Sequence, residues 1–120
     1  MPTEIRRIVF SIAETLDAIS DYNKLPQNNA KLPPGTIDGC VVKDEADGIV
    51  RLDIRDTDGQ HHDHILPHAA VGAALLRYCR TAKIPLPKRG QKSLQVVGDN
   101  VALYIEIRTD SKPLEEAAKT

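Results

Sequence analysis

Apolar residues recur along this chain at two spacings, and the switches between those spacings divide it into eight elements. Residues 4–10, EIRRIVF, read as a short strand. Ser11-Ile12-Ala13-Glu14 has the spacing of a capping box, in which the serine oxygen accepts a backbone N–H and the glutamate reaches back. The helix it opens runs to about Tyr22. Ile12, Leu16 and Ile19 fall on one face at i, i+4, i+7, and Glu14, Asp17 and Asp21 on the other. Residues 23–35, NKLPQNNAKLPPG, form a polar, proline-bearing loop.

Three strands follow, over 36–45, 49–57 and 60–66. Asp47-Gly48 and Asp58-Gly59 are hairpin turn signals, since glycine takes positive φ without penalty. A three-residue loop, Ala46 to Gly48, would pair Val42 with Leu52 and Cys40 with Ile54, apolar beside apolar. A two-residue Asp58-Gly59 turn would set Asp53 opposite His64 and Arg55 opposite His62.

Pro67 can open a second helix, where its missing N–H costs nothing. That helix runs to about Ala82 and buries Val71, Leu75, Tyr78 and Ala82, flanked by Cys79; Pro85 and Pro87 stop it. A last hairpin pairs 93–97 with 101–108 around Gly98-Asp99-Asn100. It is apolar on both faces, with Val97, Val101, Leu103 and Ile105 on one and Leu94, Val96, Ala102 and Tyr104 on the other. The order is β-α-β-β-β-α-β-β. The fold class expected is α+β, a mostly antiparallel sheet with helices packed on one face. Residues 1–108 make a single domain, and 109–120 read as a flexible polar C-terminal tail.

Composition adds little to this picture. Phe10, Tyr22, Tyr78 and Tyr104 are the only aromatics, so the core is aliphatic. There is no secretion signal and no apolar run near the ~20 residues that span a bilayer, which points to the cytoplasm and no membrane partner. Cys40 and Cys79 fit small core hydrophobes in a reducing compartment, with a disulfide or a redox role as the alternatives.

Charge changes the picture more. Residues 36–63 hold eight acids against three bases, a net of −5. Residues 64–98 hold no acid and six bases: Arg77, Arg80, Lys83, Lys88, Arg89 and Lys92. Guanidinium and ammonium groups at this density suit an anionic partner. The bland alternatives are cations favoured by the helix dipole and an ordinary solvated loop. A protein or other small anionic partner is the favoured class. Nucleic acid is the alternative on the same surface, although scarce aromatics leave no stacking platform and no recognition-helix pattern is present.

The four histidines mark the junction of the blocks, as His61-His62-Asp63-His64 and His68. On a strand, His62 and His64 share a face. With Asp53 opposite, they could offer three ligands to zinc or another divalent metal. The competing reading is a solvated strand face whose histidines pair with carboxylates, and a neighbouring arginine favours it. A hydrolase on the His61–His68 cluster would need a nucleophile, an oriented base and an oxyanion hole, and no motif sets these up together. No cofactor-binding glycine loop exists, and the chain reads as non-enzymatic.

The stretch Leu75–Leu103, LLRYCRTAKIPLPKRGQKSLQVVGDNVAL, resembles the C-terminal half of a family of small uncharacterised bacterial proteins of unknown function. The likeness lies in the helix ending Tyr78-Cys79, the Ile84-Pro85-Leu86-Pro87 run, the basic loop and the Gly98-Asp99 hairpin. With the Ser11 helix entry it reaches most of the chain, and it implies no activity. Finally, a hairpin apolar on both faces calls for a cover. A homodimer would supply one by reusing a single patch, and a fold-over of loop 23–35 with Leu25 and Leu32 would supply another.

Overall fold

The computed structural model describes residues 2–25 and 32–108. The elements follow in the expected order: β1 (Thr3–Phe10), α1 (Ile12–Asn23), β2 (Thr36–Glu45), β3 (Gly48–Arg55), β4 (His61–Leu66), α2 (His68–Thr81), β5 (Gln91–Val97) and β6 (Asn100–Arg108). The class is α+β. The strands form two antiparallel three-stranded sheets, β1-β6-β5 and β2-β3-β4. Each sheet places its most apolar strand, β6 or β3, in the centre, where both backbone edges are paired. The tail expected at 109–120 lies outside the described residues.

One core joins both sheets. It contains Val50, Leu52 and Ile54 of β3, Val101, Leu103 and Ile105 of β6, Phe10 of β1, Ala18 and Ile19 of α1, and Val71, Leu75 and Cys79 of α2. Each fully buried branched aliphatic contributes roughly 1.5–3 kcal/mol relative to an exposed one. Helix α2 packs on α1 and contacts both β3 and β5, so it bridges the two sheets. Phe10 and Tyr78 meet edge to face, centroids 5.8 Å apart, and tie the end of β1 to α2.

Local signals set the helix ends. The Ser11 hydroxyl accepts from the Glu14 N–H at 3.1 Å and the Glu14 carboxylate from the Ser11 N–H at 2.9 Å, the reciprocal capping box. Hydrogen bonds from the Ser11 backbone and side chain hold the Glu14 carboxyl below its ordinary pKa. Pro67 is the N-cap of α2 rather than its first residue, with extended backbone (ψ 158°) and a carbonyl that accepts from Ala70 and Val71. At the other end Ala82 is exposed rather than buried. Lys83 takes the left-handed conformation (φ 59°). Ile84 N–H bonds to Cys79 C=O and Lys83 N–H to Arg80 C=O, a Schellman closure without the usual glycine.

All three hairpin registers differ from expectation, each through its turn. In β2–β3 the turn is Ala46-Asp47, closed by Glu45 opposite Gly48, and a register shift follows between Val42 and Glu45. Cys40 therefore faces Leu52 and Val42 faces Val50, a slip of two residues that keeps apolar beside apolar. In β3–β4 the loop has three residues, Thr57 to Gly59, not two. Asp56 N–H bonds to Gln60 C=O, and Gly59 supplies the positive φ of 81°. The Asp56 carboxylate accepts from the N–H groups of Asp58 and Gln60, both at 2.9 Å, which fixes the longer turn. The extra residue moves the pairing by one, so Asp53 faces Asp63 and Arg55 faces His61. In β5–β6 the turn is Gly98-Asp99, with Val97 opposite Asn100. Leu94 and Val96 thus join Leu103 and Val101 on the core face, and Ala102 and Tyr104 lie on the outer face with Gln95 and Ser93.

Candidate functional site

Much of the acidic block folds onto the outer face of the β2-β3-β4 sheet, where Arg51 and Arg55 pair with part of it. Arg51 pairs with Asp63 and, at 3.0 Å, with Glu45. Arg55 Nε lies 2.9 Å from Asp38. His61 Nδ1 donates to Asp53 at 2.9 Å, with Asp38 at 4.0 Å. On the opposite face His62 Nε2 donates to Asp56 at 2.7 Å, and at the head of α2 His68 Nε2 donates to Asp44 at 2.7 Å. The bond from His62, before those from the Gln60 and Asp58 amides, holds the Asp56 carboxyl below its ordinary range.

This arrangement separates the expected metal ligands. His62 and His64 share a face, opposite Ile54 and Leu52, while Asp53 projects from the other face beside His61. The one-residue shift made by the Thr57–Gly59 loop is the reason. Among the described residues no three His, Cys, Asp or Glu side chains converge to hold a metal ion. The histidine–aspartate pairs resemble an oriented base, but among the described residues no serine, threonine or cysteine side chain is hydrogen-bonded to any histidine ring. Cys40 and Cys79 are unbridged, and burial pushes both thiols up, away from the reactive thiolate.

The basic block is arranged differently. Arg80, Lys83, Lys88, Arg89 and Lys92 are exposed, and Arg77 is half-buried with its guanidinium on Thr81. Among the described residues none of the six lies in ion-pair distance of a carboxylate. They do not line one cavity. Arg89 borders a polar hollow with Gly90, Gln91, Glu106 and Arg108, whereas Lys92 borders a separate groove beside α2.

That groove, about 520 Å³, is the feature the sequence reading missed. Ala69, Gly72, Ala73 and Leu76 of α2 form one wall, and Lys92, Leu94 and Leu103 the other, with His68 at one end. The signal was the absence of charge from Ala69 to Leu76, which leaves α2 apolar on the side away from Val71 and Leu75 as well. A smaller hollow between α1 and α2 is closed by Leu32, whose N–H donates to Asn23 Oδ1 at 2.8 Å. Leu32 lines this hollow with Ile19, Leu66 and Ala74, and residues 26–31 of the cover expected from loop 23–35 lie outside the described residues.

No protein-family model, no curated protein and no solved structure matches this chain. Among the described residues no helix is long and apolar enough to cross a membrane.

Proposed function

We propose that this chain is a cytoplasmic, non-enzymatic binding domain that contacts an acidic partner protein through the cations of residues 77–92. One observation carries the reading. Six of the eight carboxylates of the acidic block, Asp38, Asp44, Glu45, Asp53, Asp56 and Asp63, have a partner in Arg51, Arg55, His61, His62 or His68, while the six cations of the basic block have no carboxylate partner among the described residues. A cation left without an internal partner is available to an external one. Protein is favoured over nucleic acid because Phe10 and Tyr78 are spent on the core contact between β1 and α2, leaving few rings for base stacking.

The test is fluorescence anisotropy with labelled polyglutamate and labelled single-stranded DNA across a salt series. Polyglutamate should bind, and the double change Lys88→Glu, Arg89→Glu should weaken it by about tenfold or more. Stability should move by less than ~0.5 kcal/mol, as for exposed positions generally. Binding of DNA alone, with a steep salt slope, would transfer the surface to nucleic acid. Binding of neither would end the reading.

A second association is supported separately. The outer face of β1-β6-β5 exposes Ile5 (56%) and Val9 (45%) beside Tyr104. We propose that a second copy of the chain covers this face in a symmetric homodimer.

A further inference from the structure

We propose that the groove between α2 and β5 is the docking site for an acidic amphipathic helix of the partner protein; this rests on the basic-surface reading above. Three observations converge on it.

The first is Gly72. It sits in the middle of α2, where glycine costs roughly 0.8–1 kcal/mol relative to alanine. A Cβ built on Gly72 would meet nothing within 4 Å, so no described part of the chain requires its absence. A backbone approaching from outside would. Ala69, Gly72 and Ala73 lie at i, i+3, i+4 on one stripe and let a second helix come closer than larger side chains would allow. The stripe from Ala69 to Leu76 is about 10 Å long, two helical turns.

The second is the lining. Leu76, Leu94 and Leu103 offer the incoming helix an apolar floor and wall. Leu103 is fully buried at its base, while Leu76 and Leu94 are only half-buried and stand ready to lose the rest of their exposed surface.

The third is charge, which selects the occupant. Lys92 borders the groove, and Arg80 continues the α2 stripe one turn beyond Leu76. Neither has a carboxylate partner among the described residues. Carboxylates on the flank of a docked helix would meet both. Among the described residues of a second copy, the one acid-faced helix, α1, already turns Ala18 and Ile19 into that copy's own core. Its α2 would bring further cations.

The experiment measures anisotropy of a labelled, end-capped helical peptide with leucine and alanine at i, i+3, i+4, i+7 and glutamate on the flanks. Controls are the same peptide with lysine for glutamate, and polyglutamate. The glutamate peptide should bind wild-type protein at least tenfold more tightly than its lysine counterpart. Gly72→Leu fills the groove and improves helix propensity, so it should keep or raise the melting temperature while weakening the peptide at least tenfold. Lys92→Glu should weaken it as well. Unchanged affinity in Gly72→Leu overturns the groove. If polyglutamate still responds to the Lys88→Glu, Arg89→Glu change, the basic-surface reading survives that failure. If wild type binds neither glutamate probe, both readings fall. Equal binding of the glutamate and lysine peptides overturns the acidic assignment. A wild-type dimer that Gly72→Leu splits gives the groove to a second copy and overturns the proposal.

Discussion

Single residues decide more of this fold than their chemistry suggests. Gly48 begins β3 under β4, and a Cβ there would lie 2.4 Å from the Leu66 carbonyl oxygen and from Ile65 Cγ2. The backbone oxygen cannot turn aside, so β4 must move. Gly48→Ala should cost about 1–3 kcal/mol, read as a lower urea midpoint at unchanged m. Asp56 acts through hydrogen bonds instead: its carboxylate holds two turn amides and His62. Its folded pKa is lowered, so its contribution is complete above the ordinary value of 3.8 and is lost as pH falls through the folded one. Asp56→Ala should therefore be less stable than wild type at neutral pH, and the gap should shrink in acid. Melting curves taken along a pH series check the sign; a constant gap would show that the charge of Asp56 contributes nothing.

At the scale of elements, what was legible was local. The Ser11–Glu14 box, the Pro67 stop and start, and the turns signalled by Asp47-Gly48 and Asp58-Gly59 each act within a few residues, and the order of eight elements follows from them, although Gly48 opens β3 without the expected positive φ. Residue counts within turns were not legible. Whether the β3–β4 loop has two or three residues depends on an Asp56 side chain binding amides two and four positions on. That one residue decided the candidate metal site, because it carried Asp53 to the face opposite His62 and His64. The division into two sheets was hidden for another reason. It requires β1 to find β6 across almost the whole chain, and nothing local records that pairing. The α2–β5 groove was hidden because alanine and glycine carry no chemistry to notice. The end of α2 supplies a prediction of its own. Lys83 holds the left-handed position of the Schellman closure at φ 59°, where a β-carbon is penalised. Lys83→Gly should raise stability by about 0.5–1 kcal/mol, seen as a higher melting temperature. No gain, or a loss, would mean that the Lys83 side chain stabilises the helix end by a comparable amount.

For the molecule as a whole, the two three-stranded sheets are finished differently on their outer sides. The β2-β3-β4 sheet turns a row of ion pairs to water, with Val41 its one large exposed apolar residue among those described. The β1-β6-β5 sheet does not. Thr3, Ile5, Arg7 and Val9 alternate outward from β1, and opposite them stand Arg108, Glu106, Tyr104 and Ala102 of β6. Ile5 and Val9 thus flank Arg7 on β1, whose outer edge pairs with no other strand among the described residues, and Tyr104 of β6 stands opposite Arg7. A two-fold axis through this face would stack the apolar positions of two copies and could bring Arg7 of one to Glu106 of the other, opposite charges at the rim. Light scattering at micromolar concentration should give twice 13.2 kDa. The double change Ile5→Lys, Val9→Lys should return the mass to that of one chain. Because both side chains are already exposed, the monomer should lose less than about 0.5 kcal/mol, so unfolding is not an alternative explanation for the change in mass. A wild-type mass of one chain across the whole concentration range would leave Ile5 and Val9 as ordinary surface residues, since scattered apolar side chains are common on monomers.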